Sequence, residues 1–178
     1  MTLRFTTVTL VLAMSAAVAR GQVEEYQVKA AFLYNFAKFV EWPAQNFKNP
    51  TDPIVICVLG RNPFGNALEE ATSGKVVEGR GFAVREIAEA VPGCNCQMIF
   101  VSASERKRAA SILEKLKSTG ILTVGEMPGF AAEGAVINLR LESGKVRFEI
   151  NLDAAAQEHL KLSSKLLALS EIVKNERK

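Results

Sequence analysis

The residues best suited to covalent or metal chemistry in this chain are three cysteines and a single histidine. Cys57 lies inside an apolar run, IVICVLG, and Cys96 opens another, CQMIFVS. If those runs are neighbouring strands of one sheet, a bridge between them is geometrically reasonable. It would close a loop of about 40 residues, which chain-entropy arguments value at roughly 3–4 kcal/mol. Cys94 is then left over, either free or able to exchange with Cys96. The competing assignment is zinc, with His159 as the fourth ligand. Against it, Cys94-x-Cys96 is not a usual ligand spacing and His159 stands in a distant segment. The disulfide is therefore the expected state, with no metal and no cofactor.

Other chemical motifs fail on inspection. Gly60 and Gly65 have the glycine spacing of a phosphate-binding loop, but Asn66 and Ala67 follow where Lys and Ser/Thr are required. Gly79-x-Gly81 precedes a strand-like run rather than following one, so it is no dinucleotide fingerprint. A catalytic triad would have to use His159, and no serine stands in a GxSxG elbow. His159 reads instead as an exposed or helix-edge polar residue. Glu69 and Glu70 are adjacent, so on a helix they diverge. The basic cluster Arg106-Lys107-Arg108 sits in a helical segment as a solvated face, without the aromatics that nucleic-acid binding calls for. Nothing here builds a recognisable active site, and the expectation is that the chain is not an enzyme.

The N-terminus sets the expected compartment. Arg4 precedes the apolar and small-residue run VTLVLAMSAAVA, and Ala17-Val18-Ala19 or Ala19-Arg20-Gly21 supplies a small-x-small cleavage pattern. Residues 1–21 thus read as a secretory signal peptide, too short for a confident membrane span. The formal charge of +3 includes Arg4 and Arg20, so a chain beginning at Gln22 carries +3 − 2 = +1. Residues 22–178 form one expected domain in an oxidising compartment, where disulfides persist.

The elements that must position these residues alternate in type. Val28, Ala31, Phe32, Phe36, Phe39 and Val40 give residues 23–41 an apolar helical stripe, which Pro43 ends. Short strands are expected at 54–59, 82–87, 97–102 and 121–124, with those at 54–59 and 97–102 buried. A helix begins at Pro63 and runs to about Ala71, and another covers about 105–117 after a Ser102 or Ser104 cap. Residues 135–141 and 145–151 read as a hairpin turning at Ser143-Gly144. The periodicity of Leu166, Leu167, Ser170 and Val173 predicts a closing helix from about Ser163 to Lys174. The fold class is α/β: a single three-layer domain with a mostly parallel sheet and a C-terminal antiparallel hairpin.

Two segments have unusual composition for mere packing. VKAAFLYNFAKFVEWP holds the only Trp, and in RFEINL the polar Arg147, Glu149 and Asn151 alternate with Phe148, Ile150 and Leu152. The polar trio therefore shares one strand face, where Arg147 and Glu149 suit a surface ion pair. These segments, with ICVLGRNPFG, CQMIFVS, LTVGEMPGFAAEGAVINL and RFEINLDAAAQEHLKLSSKLLALS, closely resemble the YfiR family (YfiR/HmsC-like proteins) from about Tyr26 to Val173. The resemblance implies a periplasmic regulator, often dimeric, that restrains a membrane-bound diguanylate cyclase by contacting its periplasmic part. An outer-membrane lipoprotein can sequester such a repressor, and a periplasmic ligand sensor feeding a sensor kinase or transporter is the alternative.

The same resemblance makes Cys57 and Cys96 the family's strand-linking disulfide pair. Some members carry a second bridge near Phe130–Asn138, where this chain has no cysteine. Trp42, Pro43, Glu149 and Asn151 match recurring family positions and are expected to converge on a cleft between the end of the first helix and the last strand. The full candidate partner- or ligand-contacting set is Phe39, Trp42, Pro43, Arg147, Glu149, Asn151, Ser163 and Lys165.

Overall fold

A computed structural model describes the backbone of residues 5–175 and the side chains of residues 21–175. The first helix, α1 (Phe5–Phe39), is continuous through the expected cleavage positions Ala19–Gly21. The start of the expected leader, residues 1–4, lies outside the described residues. Among the described residues no helix is long and apolar enough to cross a membrane.

A seven-stranded sheet organises the rest. Its strands are β2 (Ile54–Leu59), β3 (Phe82–Ile87), β4 (Met98–Val101), β5 (Leu122–Gly125), β6 (Ile137–Glu142), β7 (Lys145–Asn151) and β9 (Glu171–Val173), in the spatial order β3-β2-β4-β5-β6-β7-β9. All neighbours are parallel except the β6–β7 hairpin. That hairpin turns on two residues, Ser143 and Gly144, both with positive φ, which matches the right-handed twist of the flanking strands. Two short strands, β1 (Val40–Glu41) and β8 (Lys161–Leu162), form a separate antiparallel ribbon at the end of α1.

Because side chains alternate across a strand, each run serves two layers. Ile54, Ile56 and Val58 of β2, with Met98 and Phe100 of β4, join a core that includes Leu33 and Phe36 of α1 and Leu68 of α2 (Ala67–Thr72). Cys57, Leu59, Ile99 and Val101 face the other way, against Ile112, Leu113 and Leu116 of α3 (Ala109–Leu116). The expected three-layer α/β class, mostly parallel with an antiparallel hairpin, is the architecture found.

Three expectations change. The helix expected over 105–117 divides into a 3-10 turn at Ala103–Arg108 and α3, with the Ser102 hydroxyl capping Ser104 N–H. The helix expected from Pro63 begins only at Ala67, because Asn62 Oδ1 accepts from Phe64 N–H and holds the preceding residues in a turn. The closing helix is the largest difference: only α5 (Ser164–Leu167) is helical, and Glu171–Val173 is strand β9. Ser170 Oγ donates to Leu167 O, closing the short helix, and the open edge of β7 then pairs with the β-branched Ile172 and Val173. A further short helix, α4 (Leu152–Gln157), follows β7, capped by the Asn151 side chain on Ala154 N–H.

Candidate functional site

Cys57 and Cys96 are joined, with Cα atoms 5.9 Å apart, tying the middle of β2 to the residues entering β4. Cys94 is free and partly buried. The main-chain oxygens of Cys94 and Asn95 both accept from the Arg85 guanidinium, at 3.0 and 2.8 Å. His159 is exposed at the end of α4 with φ +55, a helix-edge position as expected.

The structure divides the candidate contact residues between two places. Phe39 packs half-buried on the α1 core, and its carbonyl accepts from Ser163 N–H at 2.9 Å. Ser163 in turn caps α5, and Lys165 is exposed on the same short helix. Trp42 follows at the foot of α1, where its indole N–H donates to Gln97 O at 2.8 Å, with Pro43 partly exposed beside it. Arg147, Glu149 and Asn151 stand elsewhere. Phe148 and Ile150 of β7 join the α1 core, so the polar trio faces the opposite side of the sheet. Trp42 and Pro43 therefore do not share a cleft with Glu149 and Asn151.

On that opposite face the ion pairing also differs from expectation. Glu149 pairs with Arg140 of β6 at 3.1 Å, not with Arg147, which is exposed. Arg140 is the diagonal cross-strand neighbour of Glu149, whose directly opposite residue is Asn138, so β6 supplies the cation. Arg140 also meets Glu171 and, at 3.6 Å, Glu142, so one guanidinium stands among three carboxylates. Asn151 is fully buried and donates to Ala131 O and Asn175 Oδ1, both at 2.7 Å. Asn138 donates to Glu149, while its own Oδ1 is buried without a partner among the described residues.

A second polar constellation lies at the carboxyl ends of β2, β4 and β5. A crevice of about 540 Å³ is lined there by Tyr26, Arg61, Pro63, Ser102, Ser104 and Glu126 among others. Its lining includes a paired acid, Glu126. Lys29 of α1, almost fully buried, reaches Glu126 at 2.6 Å and also pairs with Glu25. Tyr26 donates to the other Glu126 oxygen at 3.1 Å, and the Lys29 ammonium lies 4.6 Å from its ring centre. Burial first, and the Glu126 charge second, push the Tyr26 phenol well above its ordinary value of 10.0. Gly60, at φ +89, brings the β2 loop against Ser104 and Glu105 so closely that a Cβ would collide with both. Arg61 N–H then donates to Ser104 Oγ at 2.9 Å. Sequence reasoning missed Lys29, Glu126 and Tyr26. The available signal was a lysine within an apolar helical stripe and an acid directly after a buried strand.

The fold and these two polar regions define a doubly wound α/β domain with the strand order of sheets that bind ligands at their carboxyl edge. The sequence matches the YfiR/HmsC-like family over residues 26–171, and the chain belongs to that family. No curated protein sequence matches it significantly. Among solved structures it is similar to a conserved domain protein from Vibrio cholerae O1 biovar El Tor strain N16961, at a TM-score of 0.51 and 10% identity. That alignment covers 69% of this chain and 55% of the Vibrio chain, and it is a likeness of fold alone. An ABC domain from Streptococcus pneumonia, solved with L-Trp, aligns at a TM-score of 0.48 and 8% identity, over 67% of this chain and 55% of its own.

Proposed function

We propose that this protein is exported to the periplasm and restrains a membrane-bound diguanylate cyclase by contact with the cyclase's periplasmic part. The observation that carries the reading is the family match across residues 26–171, which takes in the whole sheet except the last residues of β9. The contact uses the foot of α1 and the adjoining ribbon: Phe39, Trp42 and Pro43, with Ser163 and Lys165 beside them. Half-buried aromatics next to an exposed cation suit an anchor-and-rim interface. On β7, the exposed Arg147 and the partly exposed Glu149 form the second contact region, and the fully buried Asn151 takes no part in it. The output is a shift of the cyclase between two states, without turnover by this chain. A homodimer and sequestration by an outer-membrane lipoprotein belong to the same reading, as does removal of the leader near Ala19–Gly21.

Deleting the gene should raise cellular cyclic-di-GMP, and re-expression of the intact chain should lower it again. W42A/K165E, expressed at the same level and still folded, should fail to restore it. Unchanged cyclic-di-GMP in a clean deletion overturns the proposal. The second reading, a periplasmic ligand sensor feeding a sensor kinase or transporter, is favoured by the crevice at the carboxyl ends of the strands.

A further inference from the structure

The crevice above β2, β4 and β5 plays no part in the protein contact proposed above. It lies where a doubly wound sheet opens. Leu68 of α2 packs in the α1 layer, whereas α3 packs on the opposite face. The β2–α2–β3 and β4–α3–β5 connections therefore leave in opposite directions and part over the β2–β4 boundary, the place where such sheets hold ligands.

The groups around the opening are organised beyond what packing needs. Lys29 stands between Glu25 and Glu126, so this array keeps one net negative charge. Buried ion pairs are poor sources of stability, and Tyr26, whose phenol is raised by burial and by Glu126, lines the same crevice. Arg61, exposed on the β2 loop, carries the balancing positive charge and makes no ion pair among the described residues. The Tyr26 ring lines the same crevice, packed edge-on against Phe64 with centroids 5.5 Å apart.

We propose that this crevice binds a small organic anion, with its carboxylate or phosphate on the Arg61 guanidinium and its body against Tyr26. The planar guanidinium fork matches either oxyanion in a two-bond geometry. Each Glu126 oxygen already accepts one hydrogen bond and retains a lone pair for a donor on the ligand. A volume of about 540 Å³ lies within the usual range for small-molecule sites.

The test is an amide-resolved NMR titration of the purified chain with benzoate, with inorganic phosphate, and with benzyl alcohol as the uncharged control. Either anion should shift the amides of Arg61, Ser102, Ser104 and Glu126 saturably, whereas benzyl alcohol should not. Saturation by benzoate alone assigns a carboxylate, and saturation by phosphate alone assigns a phosphate ester. R61Q alters an exposed side chain, and spectra matching the parent away from the crevice verify its fold. It should weaken binding at least tenfold. No saturable shift with either anion, shifts centred elsewhere, or unchanged affinity in R61Q overturns the proposal. None of these readouts involves the cyclase, so failure here leaves the deletion experiment standing, and the reverse.

Discussion

The two faces of the sheet are built to different rules. Under α1 the face is apolar from β2 to β7: Ile56, Phe100, Val124, Leu139 and Ile150 continue one core across β2, β4, β5, β6 and β7. The opposite face is apolar only where α3 covers it, over Cys57, Leu59, Ile99 and Val101. Beyond β4 it turns polar, with Thr123, Asn138, Arg140, Glu149 and Asn151. Thr123 accepts from Val136 N–H, and Gly125 leaves space that a Cβ would take from the Phe130 ring. Hydrophobic burial holds the first face, whereas the second spends its area on directional contacts. Stability should therefore be concentrated on the α1 side.

The sharpest way to break that contrast is Phe36→Ala. Phe36 is fully buried and packs edge-on against Phe148 at 5.2 Å, joining α1 to β7. Truncation should cost about 3–5 kcal/mol, read by urea denaturation. A loss below about 1 kcal/mol would show that α1 is not the main support. Reducing the Cys57–Cys96 bridge comes next. Its 39-residue separation predicts a loss of about 3–4 kcal/mol, seen as a lower denaturation midpoint with reductant and absent in C57A/C96A. On the polar side, Arg140→Ala removes a residue facing three carboxylates, yet its side chain is 36% exposed. Solvent screening should hold the cost to about 1 kcal/mol or less. A loss as large as that of Phe36→Ala would erase the distinction between the faces.

What was legible in the sequence follows the same division. Strands β2 and β4 are continuous apolar runs closed by Gly60 and Ser102, and β5 is interrupted only by Thr123; such runs have little other use in an α/β chain. The hairpin was legible because Ser143-Gly144 falls between two alternating segments. β9 was not, since Leu166, Leu167, Ser170 and Val173 keep helical spacing, and only the open edge of β7 decides otherwise. The ribbon of Val40–Glu41 with Lys161–Leu162 depends on pairing across more than a hundred residues, which no local pattern records. Among candidate residues, alternation placed Arg147, Glu149 and Asn151 on one face correctly. It could not supply Arg140, because that pairing depends on the β6–β7 register. Trp42 and Glu149 were expected together because both match recurring family positions, and a motif position carries no information about which side of the sheet a residue serves.

The smallest expected effect tests whether the crevice belongs with the apolar face or the polar one. Tyr26 touches both, with its ring against Phe64 and its hydroxyl on Glu126. Its phenol is raised above the ordinary 10.0, chiefly by burial and then by the Glu126 charge. The folded state thus holds the proton where the unfolded chain gives it up. The stability this represents is fully present below pH 10 and is lost as pH climbs from there toward the folded-state value. Tyr26→Phe keeps the ring and removes the titrating hydroxyl. Thermal melts of the two proteins from pH 8 to 11 should therefore differ in slope, with the parent losing Tm faster above about pH 10. Parallel curves would mean that the hydroxyl is not held against Glu126, leaving the ring contact with Phe64 as the whole role of Tyr26 and the crevice lining without one of its polar groups.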